Sequence, residues 1–173
     1  MIRLIFTLSA LLAAPAMATD APVERALGEA IGAFDVAAPR LGREVLGVDV
    51  AAYGDALRQR RFRSAYWGGT VNLDIVTARS GDASCQSFAA YVSLPPRDGR
   101  ITLAICPVFS TPGTEALRRL TMLHEMVHVV AGPDECRAMA FAARVETFAF
   151  GNYTPVERYW QANNCARSGF SLP

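Results

Sequence analysis

The stretch Thr121-Met122-Leu123-His124-Glu125-Met126-Val127-His128-Val129-Val130-Ala131-Gly132 decides the reading of this chain. Both histidines of the sequence lie in it, four residues apart, and Glu125 is the only charged residue between Thr121 and Gly132. A helix turns once in about 3.6 residues, so His124 and His128 share a face and can hold one metal ion between them. The H-E-x-x-H spacing is a zinc signature. It sets Glu125 beside the first ligand, within reach of a metal-bound water as general base.

A catalytic zinc site usually takes three protein ligands and leaves the fourth position for water. With no third histidine, and with the cysteines expected in disulfides, the remaining ligand is a carboxylate: Asp134, Glu135 or Glu146. The break at Gly132-Pro133 lets the chain turn back, so the start of the next helix can face both histidines. Glu135 is the first choice and Asp134 the alternate. Glu146 lies about three turns further on and is reached only if that helix crosses the site. Asp134 stands six residues beyond His128, where metzincins place a ligand, but those enzymes have glycine at the position of Ala131. One of the two adjacent acids is expected simply to complement the positive end of the helix.

Outward from this centre, residues 1–18 read as an export signal: Arg3, the apolar run Leu4 to Ala14, and Ala16-Met17-Ala18 before the cut. Residues 19–173 are then a single domain with one core. The net charge of +1 gives no reason to expect nucleic acid or an anionic membrane, and no later segment resembles a membrane span. Lysine is absent, which closes Schiff-base chemistry to the chain. The cluster Arg58, Arg60, Arg61 and Arg63 reads as a solvated helix face. Tyr66 and Trp67 read as exposed aromatics open to a partner or, for Trp67, as a packed side chain beside a Gly-Gly turn, the more usual case. The even count of four cysteines in an exported chain favours two disulfides, for which three pairings are open. Cys85 with Cys106, flanking a hairpin, and Cys136 with Cys165, tying the last helix to the one after the motif, are favoured.

Periodicity predicts an amphipathic helix from Pro22 to Phe34, a loop or short helix around Leu41 to Leu46, and a helix from Val50 to Arg63 capped by Asp49. Strands follow at Thr70 to Thr77, Phe88 to Leu94 and Arg100 to Ile105, the last two joined through a Pro95-to-Gly99 turn. The motif helix runs from Thr114 to Ala131, the next from Pro133 to about Phe150, and a last one to about Asn163. The fold class is α+β: a small zincin-like domain, with a short antiparallel or mixed sheet of about three strands, the H-E-x-x-H helix and two helices after it.

From Ala90 to Glu135 the chain resembles the deuterolysin-type metalloendopeptidases, the aspzincins. The matching residues are Ala90-Tyr91-Val92, Ile101 to Cys106-Pro107-x-Phe109, Thr121-x-Leu123-His124-Glu125-x-x-His128 and Gly132-Pro133-Asp134-Glu135. The resemblance implies a zinc peptidase, puts the family's ligand aspartate on Glu135, and supports the Cys85–Cys106 pairing. The family's oxyanion-stabilising tyrosine falls on Ala138, which leaves that role vacant or taken by another residue such as Tyr153, Tyr159 or Arg137.

The expectation is an exported, periplasmic or secreted zinc metallopeptidase acting on a peptide or protein substrate, with Glu125 catalytic and His124, His128 and Glu135 on the metal. One hairpin strand, Arg100 to Ile105, reads either as an open edge beside the motif helix that pairs with an extended substrate or as a core strand with no ligand role. The alternative is a zinc-binding periplasmic module, a pseudo-peptidase that serves as a protein-binding domain.

Overall fold

The structure, a computed structural model, describes residues 21–173; the expected export signal lies outside the described residues. The domain is α+β. Helix α1 (Ala21–Leu41) is followed by a two-stranded hairpin, β1 (Glu44–Val45) and β2 (Val48–Asp49), and then by α2 (Val50–Gln59). Strands β3 (Arg61–Arg63), β4 (Thr70–Thr77), β5 (Ala90–Arg97) and β6 (Arg100–Ile105) come next. Helices α3 (Glu115–Ala131), α4 (Glu135–Phe150) and α5 (Glu157–Ala162) complete the chain.

The four longer-range strands form one mixed sheet in the order β3-β4-β6-β5. After β4 the chain passes over the position β6 will fill, lays down β5 at the outer edge, and returns between them. Thus β6 pairs parallel with β4 and antiparallel with β5. Arg100 to Ile105 is therefore an interior strand, and the open edge beside the motif helix is β5, which packs on α3. The disulfide Cys85–Cys106 ties the crossover to the end of β6, as expected.

Period-2 alternation builds the sheet's inner face. Val71, Leu73, Ile101, Leu103 and Ile105 are buried, while Asp74 and Arg100 pair on the outer face at 3.0 Å. Against the inner face lies α3, where every residue from Met122 to Ala131 is buried. Helices α1, α2 and α4 enclose it, and the Tyr53 hydroxyl of α2 donates to the Leu123 carbonyl of α3 at 2.7 Å. The second disulfide, Cys136–Cys165, fastens the first turn of α4 to the segment after α5. Closing a loop of 21 or 29 residues restricts the unfolded chain by about 3 kcal/mol for each bridge. Two disulfides point to an oxidising compartment. Among the described residues no helix is long and apolar enough to cross a membrane.

Four expectations are corrected. Helix α1 continues past Phe34 because Ala37 and Leu41 extend its buried face, and Pro39, which gives up the amide donor to the carbonyl four residues back, stands two residues before its end. Residues 44–49 form a hairpin, with Leu46 and Gly47 both at positive φ as a two-residue turn requires. Helix α2 stops at Gln59 because Arg60 turns left-handed, and Arg61-Phe62-Arg63 becomes a strand with only Phe62 buried. Strand β5 runs on through Pro95 and Pro96. An edge strand tolerates prolines, and the pairing with β6 shifts register between Ser93 and Arg97. The tight turn is Asp98-Gly99, both at positive φ.

Candidate metal centre

Helix α3 presents His124 and His128 one turn apart, their rings 4.7 Å between centroids. At its end Gly132 adopts φ 87° and ψ −172°, a conformation essentially confined to glycine. A Cβ at Gly132 would also collide with the Tyr66 phenol. The reversal brings the first residue of α4, Glu135, back over the histidines. Its Oε2 lies 3.1 Å from His124 Nε2 and 3.4 Å from His128 Nε2, and the two Nε2 atoms are 3.0 Å apart. Ligand atoms spread tetrahedrally at zinc bond lengths of about 2.0–2.1 Å stand roughly 3.3 Å from one another. The three side chains thus fit one ion. Among the described residues, this is the group of three that could hold a metal.

The supporting contacts fix which lone pairs converge. His128 Nδ1 donates to the Gly132 carbonyl at 3.0 Å, which leaves its Nε2 as the unprotonated nitrogen facing the centre. Trp67 Nε1 donates to the Val129 carbonyl at 2.7 Å, so Tyr66 and Trp67 clamp the end of α3 that carries the second histidine. The Tyr159 hydroxyl donates to Glu135 Oε2 at 2.8 Å.

The adjacent acids divide as the helix start demands. Asp134 caps α4, its Oδ1 accepting from the Arg137 amide at 2.9 Å, and Glu135 faces the histidines. Glu146, further along α4, is fully buried away from them. It accepts from Arg119 Nε at 2.9 Å and from the Thr154 amide at 2.7 Å, so both its oxygens are engaged.

Charge follows burial. Desolvation pushes the Glu125 carboxyl up to about 8, against the opposing pull of His128. Desolvation also lowers His124. For His128 burial works downward, but the hydrogen bonds to Glu135 and Gly132 prevail and raise it. For Glu135 burial works upward, and its contacts with the two imidazoles more than offset this, holding it far below the ordinary carboxylate range. Burial and the neighbouring Glu135 charge raise the Tyr159 phenol.

Two clefts meet at this centre. One, of about 140 Å³, runs along β5 past Tyr91, Val92 and Leu94 to His128 and Glu135. The other, about 570 Å³, opens from His124 and Glu125 towards the loop before α5. Tyr159 and Glu125 border both. Of the three residues considered for a vacant oxyanion role, Tyr159 stands at the metal group. Tyr153 donates to Glu157, and Arg137 donates to the Ala131 carbonyl. Gly132 was legible as a helix stop and Trp67 as a packed side chain, but nothing in their pattern, or in Tyr66, tied them to His128. Comparisons with models of known families, with curated proteins and with solved structures find no match to this chain.

Proposed function

We propose that this protein is an exported zinc metallopeptidase of zincin-like build. The single observation that carries the reading is the convergence of two histidine Nε2 atoms and a Glu135 oxygen within 3.0–3.4 Å of one another, with Glu125 next in chain to one ligand and bordering both clefts. Two nitrogens and one carboxylate are the donor set of catalytic zinc sites, which keep a position open. A zinc ion there supplies Lewis acidity, acidifying a water and polarising a carbonyl.

The chain's own residues do the rest. Glu125 accepts the proton of the attacking water as its oxygen bonds to the peptide carbonyl carbon. It then passes that proton to the leaving amide nitrogen as the C–N bond breaks, and the second proton of the water follows from the new carboxyl, giving a carboxylate and an ammonium group. Its burial suits this work, because a base poised well above the ordinary carboxylate range both takes and returns a proton near neutral pH. A cation held by the adjacent ligands would favour its ionised form before the attack. Tyr159 orients Glu135 through the hydrogen bond that its hydroxyl donates. Strand β5, with one side unpaired, offers backbone groups to an extended peptide. The two disulfides accord with a periplasmic or secreted location.

Glu125→Gln tests the mechanism. It is expected to lower peptide turnover by about 10³-fold or more while zinc stays bound. Undiminished turnover would exclude Glu125 as the base. Failure of the wild type to cleave any member of a broad peptide library, with zinc bound, would leave a zinc-binding module.

A further inference from the structure

The larger cleft is unlike the rest of the centre. Its floor is apolar and fixed: Ala90 of β5, Leu120 of α3, Met139 of α4 and Val156 before α5, none more than 8% exposed. Its walls are the exposed side chains of Phe88 and Leu117, at 45% and 50%. It begins at His124 and Glu125 themselves. At about 570 Å³ it falls among clefts that take sizeable ligand groups. The rim carries one acid and one base, Glu157 and Arg158, so it offers no net charge to select a charged group. Glu157 is moreover engaged by Tyr153, 3.2 Å away.

The sheet supplies a direction. Strand β5 runs from the larger cleft, at Ala90, to the smaller, at Leu94. A peptide added antiparallel to it, the more stable pairing, enters over Leu94 and leaves over Ala90 and Phe88. Its carboxyl-terminal half therefore meets the apolar cleft.

Resting on the peptidase reading above, we propose that this cleft is a specificity subsite. It takes a large apolar side chain, Phe, Leu or Met, from the residue immediately after the cleaved bond. Products then begin with that residue. Leu117 sets the preference from the wall and is neither a metal ligand nor the base.

Two measurements on the zinc-loaded, disulfide-intact protein test this. In the first, a peptide library is digested and the products are sequenced by mass spectrometry. New amino termini are expected to favour Phe, Leu and Met over Asp, Lys and Gly by roughly tenfold to a hundredfold. Leu117→Asp is expected to erase most of that preference at unchanged zinc content. Cleavage without the preference, or with these residues before the cut, overturns the proposal and leaves the peptidase reading standing. In the second, methyl-labelled methionine is observed by NMR as N-acetyl-phenylalanine amide or N-acetyl-aspartate amide is added. Met139 is expected to shift with the first and not the second, while Met122 and Met126, both fully buried, serve as references. Absence of cleavage with the Met139 response intact defeats the peptidase reading but supports the apolar subsite. Absence of the response overturns the subsite.

Discussion

Helix α4 carries two glutamates that face α3 from opposite ends, and they have opposite surroundings. Glu146 is fully buried and closed: Arg119 satisfies one oxygen and the Thr154 amide the other. Glu135 has a side chain 38% exposed, opens onto a cleft, and faces two imidazole nitrogens 3.0 Å apart. A buried ion pair whose hydrogen bonds are complete holds elements together and has no capacity left for a ligand. Three converging donor atoms with a route to solvent are held in readiness for a cation. Both acids had the composition of a third ligand, and only their neighbours separate them.

The difference can be broken at several points. Glu146→Ala, which strands the Arg119 charge and the Thr154 amide, is expected to cost about 3 kcal/mol in the metal-free protein. Glu135→Ala should cost less. Denaturant midpoints of the two variants check this, and equal losses would erase the distinction.

A pH effect is expected at Glu125. Below pH 4.5, its ordinary value, the carboxyl is neutral folded and unfolded, so it costs nothing. Between there and about 8 the unfolded chain ionises and the folded one does not. Metal-free wild type therefore loses stability with rising pH, by at most about 1.4 kcal/mol per unit. Glu125→Gln removes that slope, and a stability curve as steep as wild type would contradict the burial account.

Gly132→Ala should cost about 2 kcal/mol, because alanine fits neither the backbone conformation nor the space under Tyr66. Zinc affinity of the folded variant should drop roughly tenfold or more as His128 loses its aligned carbonyl. Titration of both proteins with zinc decides it. The smallest effect is expected from Tyr159→Phe: about tenfold weaker zinc binding at unchanged fold, since one hydrogen bond to Glu135 disappears.

What could be read before the fold was known follows the same division between local and distant. Asp49 and Asp134 cap helices through amides two or three residues away, the glycines at 132 and 151 end them, and the 3.6-residue repeat of His124 and His128 is a property of one turn. Such features are written in neighbouring residues. Strand order is not. Whether β5 or β6 takes the edge depends on a crossover between segments that share no local pattern, and the interior place of Arg100 to Ile105 appears only once β4 has paired with it. Phe62 is too short a signal to show as a strand beside three arginines, although its alternation with Arg61 and Arg63 is plain in retrospect. The contact of Tyr159 with Glu135 spans 24 residues, between two helices that the Cys136–Cys165 bridge also ties together from the start of α4 to the segment after α5.

The central claim is that His124, His128 and Glu135 form the metal site, and metal content measures it most directly. Wild type, Glu135→Ala and Asp134→Ala are purified folded, supplied with zinc, freed of excess, and assayed by elemental analysis. About one zinc per chain is predicted for wild type and for Asp134→Ala, and close to none for Glu135→Ala. A wild type that stays metal-free, or a Glu135→Ala variant that holds zinc as well as wild type, would contradict the site described here.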